Sequence, residues 1–134
     1  MRKVLAAITL SLLTGCGARC AVAAPVATPS TSSTSETDLI GRTVLFVYET
    51  ATYRVEILDA EQLRWTRTRG DNTGETALER YVATVIGPEK VLVSWVEASG
   101  LALSNVLDLD AGTLLTHGNT GRALFRNPGR LEID

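Results

Sequence analysis

Between residues 38 and 134, apolar and polar side chains alternate in short runs that are separated by turn-forming residues. Alternation with a period of two is typical of strands, and no stretch shows the sustained 3.6-residue period of an amphipathic helix. The separating segments are rich in Gly, Asn, Asp and Pro, which suit hairpin turns. The predicted strands lie at 43–48, 53–58, 62–69, 76–86, 91–97, 101–109, 113–117 and 122–125, with a shorter piece at 131–133.

Roughly eight strands joined by short hairpins predict an all-β fold, an antiparallel up-and-down meander. Because no helix is predicted to cover a sheet face, closure into a small barrel is the economical solution, and it removes the unpaired strand edges. A barrel of about eight strands has room inside for packed side chains or for one small ligand. A sandwich of two sheets is the alternative architecture.

Several predicted strands are apolar at one end of a face and charged at the other. Val91, Val93, Trp95 and Glu97 share one face of a single strand, because side chains alternate along a strand. Such a row is typical of a barrel that is apolar at depth and polar at its mouth, with Glu97 pointing into a cavity. The same row also fits a strand that leaves the core and places Glu97 in water.

The first residues carry a targeting pattern. The positive start Met1-Arg2-Lys3 precedes a short apolar run, and Leu13-Thr14-Gly15-Cys16 follows it. The run is too short for a stable membrane-spanning helix and is typical of a secretory signal. Leu-Thr-Gly-Cys resembles the lipobox of bacterial lipoproteins, so we expect cleavage before Cys16 and lipidation of its thiol. The alternative is an ordinary signal peptide cut after residues 21–23, which would give a soluble secreted protein.

The sequence predicts three parts: a lipoprotein signal peptide at 1–15, a lipidated disordered tether at 16–37 and a β-barrel domain at 38–134. Most of the tether is Ala, Pro, Ser and Thr, which cannot bury enough apolar surface to offset its ordering entropy. Cys16 and Cys20 are the only cysteines, and both precede the domain, so no disulfide can stabilise it. No aspartate follows Cys16, so we expect anchoring in the outer membrane of the cell envelope, facing the periplasm.

Charge and composition narrow the range of partners. The formal net charge of −2 argues against nucleic acid as a partner, because nucleic acids are bound through a surplus of Lys and Arg. A membrane is expected as a partner only through the lipid anchor. The sequence has no Gly-rich phosphate loop and no His/Cys cluster with metal-ligand spacing, so it predicts no cofactor and no metal site.

The segment "RYVATVIGPEKVLVSWVEASGLALSNVLDLDAGTLL", residues 80–115, resembles the MoaF-like domain. Its distinctive piece is Ser94-Trp95-Val96-Glu97-Ala98-Ser99-Gly100, followed by a strand that contains Asp108. The opening segment 41–58 is similar to the first hairpin of that family. The resemblance implies a lipocalin-like barrel of the calycin type, distantly related to the bacterial phenolic acid decarboxylases.

The decarboxylase relationship implies a glutamate inside the barrel, two tyrosines on the first strand and an arginine after the third strand. Glu97 matches the glutamate and Tyr48 matches the second tyrosine, but Phe46 stands where the first should be. The arginine position falls near Glu75 and Thr76, and neither can hold a carboxylate. A substrate carboxylate would therefore lose a cation and a hydroxyl that anchor it, so we do not expect decarboxylation.

Two further points limit what the resemblance implies. Arg67 or Arg69 could reach inward in place of the missing arginine, although no motif match supports either. The MoaF name points to molybdenum cofactor synthesis, but that cofactor is assembled in the cytoplasm, whereas this chain is predicted to be exported. The resemblance therefore implies a fold and a pocket without a reaction.

The sequence thus predicts a membrane-anchored barrel that binds a small apolar or aromatic ligand. The predicted ligand-binding residues are Tyr48, Trp65, Val93, Trp95 and Glu97. A carboxylate in a cavity is a good site candidate because burial shifts its pKa. Two alternatives stay open: a filled barrel that acts as an interaction or inhibitor module, and, less favoured, an enzyme that uses Glu97 as acid or base. The oligomeric state is not predicted.

Overall fold

Eight strands, each paired with its neighbours along the chain, close into an antiparallel barrel in the computed structural model, which describes residues 35–134. The last strand pairs with the first, which excludes the two-sheet sandwich and confirms the up-and-down barrel. The predicted signal peptide, most of the tether and Cys16 lie outside the described residues. The strands are β1 (Thr43–Val47), β2 (Thr52–Ile57), β3 (Gln62–Arg69), β4 (Thr76–Gly87), β5 (Lys90–Val96), β6 (Ala102–Asp108), β7 (Thr113–Asn119) and β8 (Leu124–Ile133), preceded by a 3₁₀ turn at Glu36–Leu39.

The eighth strand differs from the sequence prediction. The sequence predicts two pieces, 122–125 and 131–133, because the intervening Asn-Pro-Gly has turn character. The structure instead has one strand that runs through Pro128 and Gly129. Only residues 130–133 of this strand pair with β1, so Pro128 lies where β8 has β7 alone as a partner. A proline is tolerated there because one side of the strand makes no ladder hydrogen bonds.

One end of the barrel, which we call the closed end, is filled by aliphatic side chains together with Tyr81, whose hydroxyl donates to the Asp59 carbonyl of the β2–β3 hairpin at 2.7 Å. The 3₁₀ turn places Leu39 in the core at this end, where it is only 3% exposed. Leu63 and Val91, each at the start of a strand, are fully buried beside it. The remaining aliphatic residues of this half are Val44, Ile57, Leu107, Leu114 and Leu131.

The opposite end, which we call the mouth, is formed by the four hairpins that connect β1 to β2, β3 to β4, β5 to β6 and β7 to β8. Both ends of the described chain lie at the closed end instead: the Gly41 N–H donates to the Ile57 carbonyl at 2.7 Å, and the Asp134 N–H donates to the Thr43 carbonyl at 3.1 Å. Among the described residues, the buried hydrophobic core lies within 39–131 and the ladder that closes the barrel within 43–133, so residues 35–134 are the range to test as a separate domain. None of the helical structure in this range is long and apolar enough to cross a membrane.

Candidate ligand-binding cavity

A cavity of about 170 Å³ lies inside the mouth half of the barrel. An apolar cavity of about 150 Å³ binds a molecule such as benzene, so this volume suits a ligand of about one aromatic ring. The cavity is lined by residues from seven of the eight strands or their hairpins. Six of its fifteen lining residues are aromatic: Phe46, Tyr48, Tyr53, Trp65, Trp95 and Phe125.

The aromatic rings pack against one another in addition to facing the cavity. Tyr48 and Tyr53 meet edge to face with their centroids 6.0 Å apart, and Tyr53 meets Trp65 in the same way at 6.0 Å. Phe46 and Trp95 are 6.4 Å apart and tilted by 36°. Edge-to-face pairs of this kind are favourable beyond their buried area, so the wall is held in shape without a ligand.

A glycine makes room for the last of these rings. Gly118 in β7 is buried and stands directly opposite Phe125 in β8. A Cβ added at Gly118 would overlap the Phe125 ring. The absence of a side chain at Gly118 therefore allows the ring to lie across β7 and complete the cavity wall.

Buried polar groups from three strands form a hydrogen-bonded relay in the cavity wall. The hydroxyls of Tyr48 and Thr116 lie 2.5 Å apart, and the Thr116 hydroxyl donates to Asn105 Oδ1 at 2.7 Å. Asn105 Nδ2 donates to the carbonyl of Val93 at 3.1 Å. Burial raises the pKa of Tyr48 to about 12, so its phenol is neutral at physiological pH. The relay thus satisfies polar side chains that would otherwise be costly to bury.

Arg67 stands at the rim of the cavity and is held by the mouth hairpins. Its Nη2 donates to the Tyr53 hydroxyl at 2.6 Å, and its Nη1 donates to the Asp71 carbonyl at 2.6 Å. The Glu75 carboxylate lies 3.8 Å from Nη1. A cation is therefore fixed beside the aromatic wall at a defined position.

Glu97 follows the last residue of β5 and begins the β5–β6 hairpin. Its N–H donates to the Leu101 carbonyl at 2.9 Å, and its carboxylate lines the cavity half-buried. Burial raises the pKa of Glu97, and the negative charge of Glu79 raises it further. The indole N–H of Trp95 acts in the opposite direction, although the pair does not reach hydrogen-bond geometry.

Three buried donors in this half have no hydrogen-bond partner among the described residues. They are Trp65 Nε1, Trp95 Nε1 and Arg67 Nε, and all three belong to side chains that line the cavity. A buried donor without a partner costs about 1–3 kcal/mol. The side chains that form the cavity wall are therefore held in place at some cost in unsatisfied hydrogen bonds.

Four of the five residues predicted to bind a ligand line this cavity: Tyr48, Trp65, Trp95 and Glu97. Val93 does not line it, because its side chain is packed in the core with 1% exposure. Its contribution to the site is the backbone carbonyl that ends the polar relay. The structure brings these residues together, and ligand binding by them stays a prediction.

Sequence reasoning missed part of the cavity wall. Asn105 and Thr116 each interrupt an inward-facing apolar row, a signal that the alternation pattern contained. Only the pairing of β6 with β7 shows that they are direct register partners. Phe125 could be found only from the pairing of β7 with β8. Of the two arginines considered, Arg67 lines the cavity, whereas Arg69 donates to backbone carbonyls of the β1–β2 hairpin.

Fold and cavity together define a small up-and-down β-barrel with an internal pocket near one end. A family model described as MoaF-like matches residues 40–131, and the chain belongs to this family. No curated protein sequence matches the chain.

Within residues 35–134, no three His, Cys, Asp or Glu side chains are grouped so that they could hold a metal ion.

Among solved structures, the chain is similar to the crystal structure of a candidate beta-lactamase from Burkholderia vietnamiensis. The two share 22% sequence identity and superpose with a TM-score of 0.69, over 75% of this chain and 100% of the other. At this level of identity the similarity shows a common fold and carries no activity over to this chain.

Proposed function

We propose that this protein is a binding barrel that holds one small, mainly apolar or aromatic molecule inside its mouth half. The observation that carries the proposal is the cavity of about 170 Å³ with its wall of six aromatic side chains. Concave, largely apolar sites with a few fixed polar groups are the usual form of small-molecule sites. Here Glu97 and Arg67 supply polar contacts near the rim.

The cavity also weighs against the alternative of a filled barrel that acts only through its outer surface. Aliphatic side chains and Tyr81 pack the closed end, so the chain is able to fill its interior. In the mouth half, aromatic and polar side chains surround an open volume instead. An internal volume kept open beside a filled one supports a role for that volume.

Catalysis by Glu97 is the second candidate, and one observation favours it. Burial raises the pKa of this carboxyl, which brings it closer to the range in which a group donates and accepts protons at neutral pH. The remaining anchors expected for decarboxylation are incomplete, since Phe46 occupies the first tyrosine position. The only aliphatic hydroxyl in the cavity lining is that of Thr116, and it already donates to Asn105 Oδ1.

Ligand binding is testable by intrinsic fluorescence, because the only two tryptophans of the sequence, Trp65 and Trp95, both stand in the cavity wall. We expect small aromatic molecules such as toluene to change the fluorescence of the 35–134 domain saturably. Leu103 lines the cavity, so Leu103→Phe should fill it and weaken binding. Leu92 lies on the outward face of β5, and Leu92→Phe is the matched control. Absence of any saturable change with a panel of such molecules would overturn the proposal.

We also propose that the chain is exported and anchored by lipid at Cys16. The support is the sequence pattern of residues 1–16, which precedes the described residues. Globomycin, which blocks lipoprotein signal peptidase, should make the uncleaved precursor accumulate in the producing bacterium. Cys16→Ser should abolish metabolic labelling with palmitate. Unchanged processing with globomycin would favour the ordinary signal peptide.

A further inference from the structure

The direction of every hydrogen bond in the polar relay is fixed by its innermost member. The carbonyl of Val93 can only accept, so the atom of Asn105 that lies 3.1 Å from it must be the amide nitrogen. The other side-chain atom of Asn105, its carbonyl oxygen, therefore faces Thr116. The orientation of this amide is therefore fixed by the hydrogen-bonding chemistry of its two neighbours.

This orientation determines which hydroxyl donates in the rest of the relay. The Thr116 hydroxyl lies 2.7 Å from Asn105 Oδ1, which only accepts, so Thr116 uses its single hydrogen there. The 2.5 Å contact between Tyr48 and Thr116 must then use the hydrogen of Tyr48. The Tyr48 O–H is committed to the protein, and toward the cavity its oxygen offers only a lone pair.

We infer that the cavity selects ligands that present a hydrogen-bond donor, such as a hydroxyl or N–H group, to the oxygen of Tyr48. An acceptor placed there would meet a second lone pair with no hydrogen between them. Reversing the relay to supply one would turn the Asn105 carbonyl oxygen against the Val93 carbonyl. Tyr48 is thus a specificity-determining residue through its lone pair. This inference rests on the proposed ligand-binding function.

The relay also explains why Tyr48 cannot act as the tyrosines of a carboxylate-binding site do. A carboxylate needs the hydroxyl hydrogen, and Thr116 already holds it. The relay therefore gives the cavity wall a hydrogen-bond acceptor at the Tyr48 oxygen, and no hydroxyl hydrogen there for a ligand carboxylate.

The test compares three probes of similar size on the 35–134 domain: phenol, which donates and accepts, pyridine, which only accepts, and toluene, which does neither. Affinities are measured by tryptophan fluorescence and checked by calorimetry. In the Tyr48→Phe variant, the affinity ratio of phenol to toluene should fall about tenfold relative to wild type, the equivalent of one hydrogen bond. An unchanged ratio overturns the inference.

A second variant keeps the inference testable if Tyr48→Phe does not fold. Thr116→Val removes the acceptor that holds the Tyr48 hydrogen and keeps the side-chain shape, so the freed hydroxyl can turn toward the ligand. The affinity ratio of pyridine to toluene should then rise several-fold above the wild-type value. A ratio that stays at the wild-type value overturns the inference. If none of the three probes binds the wild-type domain, the proposed function itself fails.

Discussion

The two halves of the barrel interior differ in chemistry although the same strands build both. At the closed end, aliphatic side chains such as Leu63 and Val91 are completely buried. In the mouth half, aromatic and polar side chains surround an open volume. The buried side-chain donors without partners in residues 35–134 belong to Trp65, Arg67 and Trp95, which all line that second half. The comparison teaches that packing at the closed end stabilises the barrel. The mouth half can therefore keep an open volume and side-chain donors that lack hydrogen-bond partners.

The largest effect on stability should come from shortening a buried side chain at the closed end. Leu63 is 0% exposed, so Leu63→Ala removes buried apolar area and leaves a void, which should lower the free energy of unfolding by about 2–5 kcal/mol. The matched variant Leu103→Ala enlarges a cavity that already exists around a half-buried side chain, and should cost clearly less. Urea unfolding of both variants measures the difference. Equal losses of unfolding free energy in the two variants would contradict the difference in packing between the closed end and the mouth half.

A second prediction concerns alkaline pH and the relay. Because the folded pKa of Tyr48 is raised to about 12, the unfolded chain ionises first, near the usual pKa of 10. The stability linked to this phenol is fully present below about pH 10 and is lost as pH rises toward 12. The loss should reach about 2–3 kcal/mol. Between pH 9 and pH 11, the free energy of unfolding measured in urea should decline more for wild type than for Tyr48→Phe. Equal declines in the two proteins would refute this prediction.

A third prediction tests whether the absence of a side chain at Gly118 makes room for the Phe125 ring in the cavity wall. Gly118→Ala should displace the ring from the cavity wall and lower the free energy of unfolding by about 1 kcal/mol. The same substitution in a Phe125→Ala background should cost much less, because the two residues are in contact and their effects are not additive. Additive losses in the double variant would show that Gly118 is needed for another reason.

The smallest expected effect is at Glu97. Because burial raises its pKa, its charged form is less stable in the fold than in the unfolded chain, and this cost appears as pH rises through the folded pKa. Glu97→Gln should therefore raise Tm at pH 7 by about one to three degrees and have little effect near pH 4. Thermal unfolding at the two pH values measures this. A lower Tm at pH 7 would reveal a favourable contact of the carboxylate instead.

Much of the fold could be predicted because apolar and polar side chains alternate with a period of two in any strand that buries only one of its faces. Seven strands lie within one or two residues of their predicted bounds. The eighth could not be predicted because Asn127-Pro128-Gly129 carries the same local signals as a turn. Only the tertiary arrangement, in which β8 has a single partner at Pro128, allows the strand to continue.

The cavity could be predicted less completely, because it depends on which strands become neighbours. The alternating rows predicted that Trp65, Trp95 and Glu97 face one space, and the family resemblance added Tyr48; all four line the cavity. The relay depends on Asn105 meeting Thr116 across two strands, and that contact is set by register rather than by the pattern within either strand. The predicted lipid anchor stays a prediction, since it lies before the described residues.

Both ends of the described chain leave the barrel at its sealed base, beside the hydrogen bonds that Gly41 and Asp134 make there. A sensor chip or fusion partner coupled through residue 35 or residue 134 would therefore be attached at the end of the barrel opposite the mouth. The four mouth hairpins would stay turned to the solution, and small molecules could diffuse in without passing the attachment point. The geometry makes the domain suited to immobilised formats in which orientation usually has to be engineered.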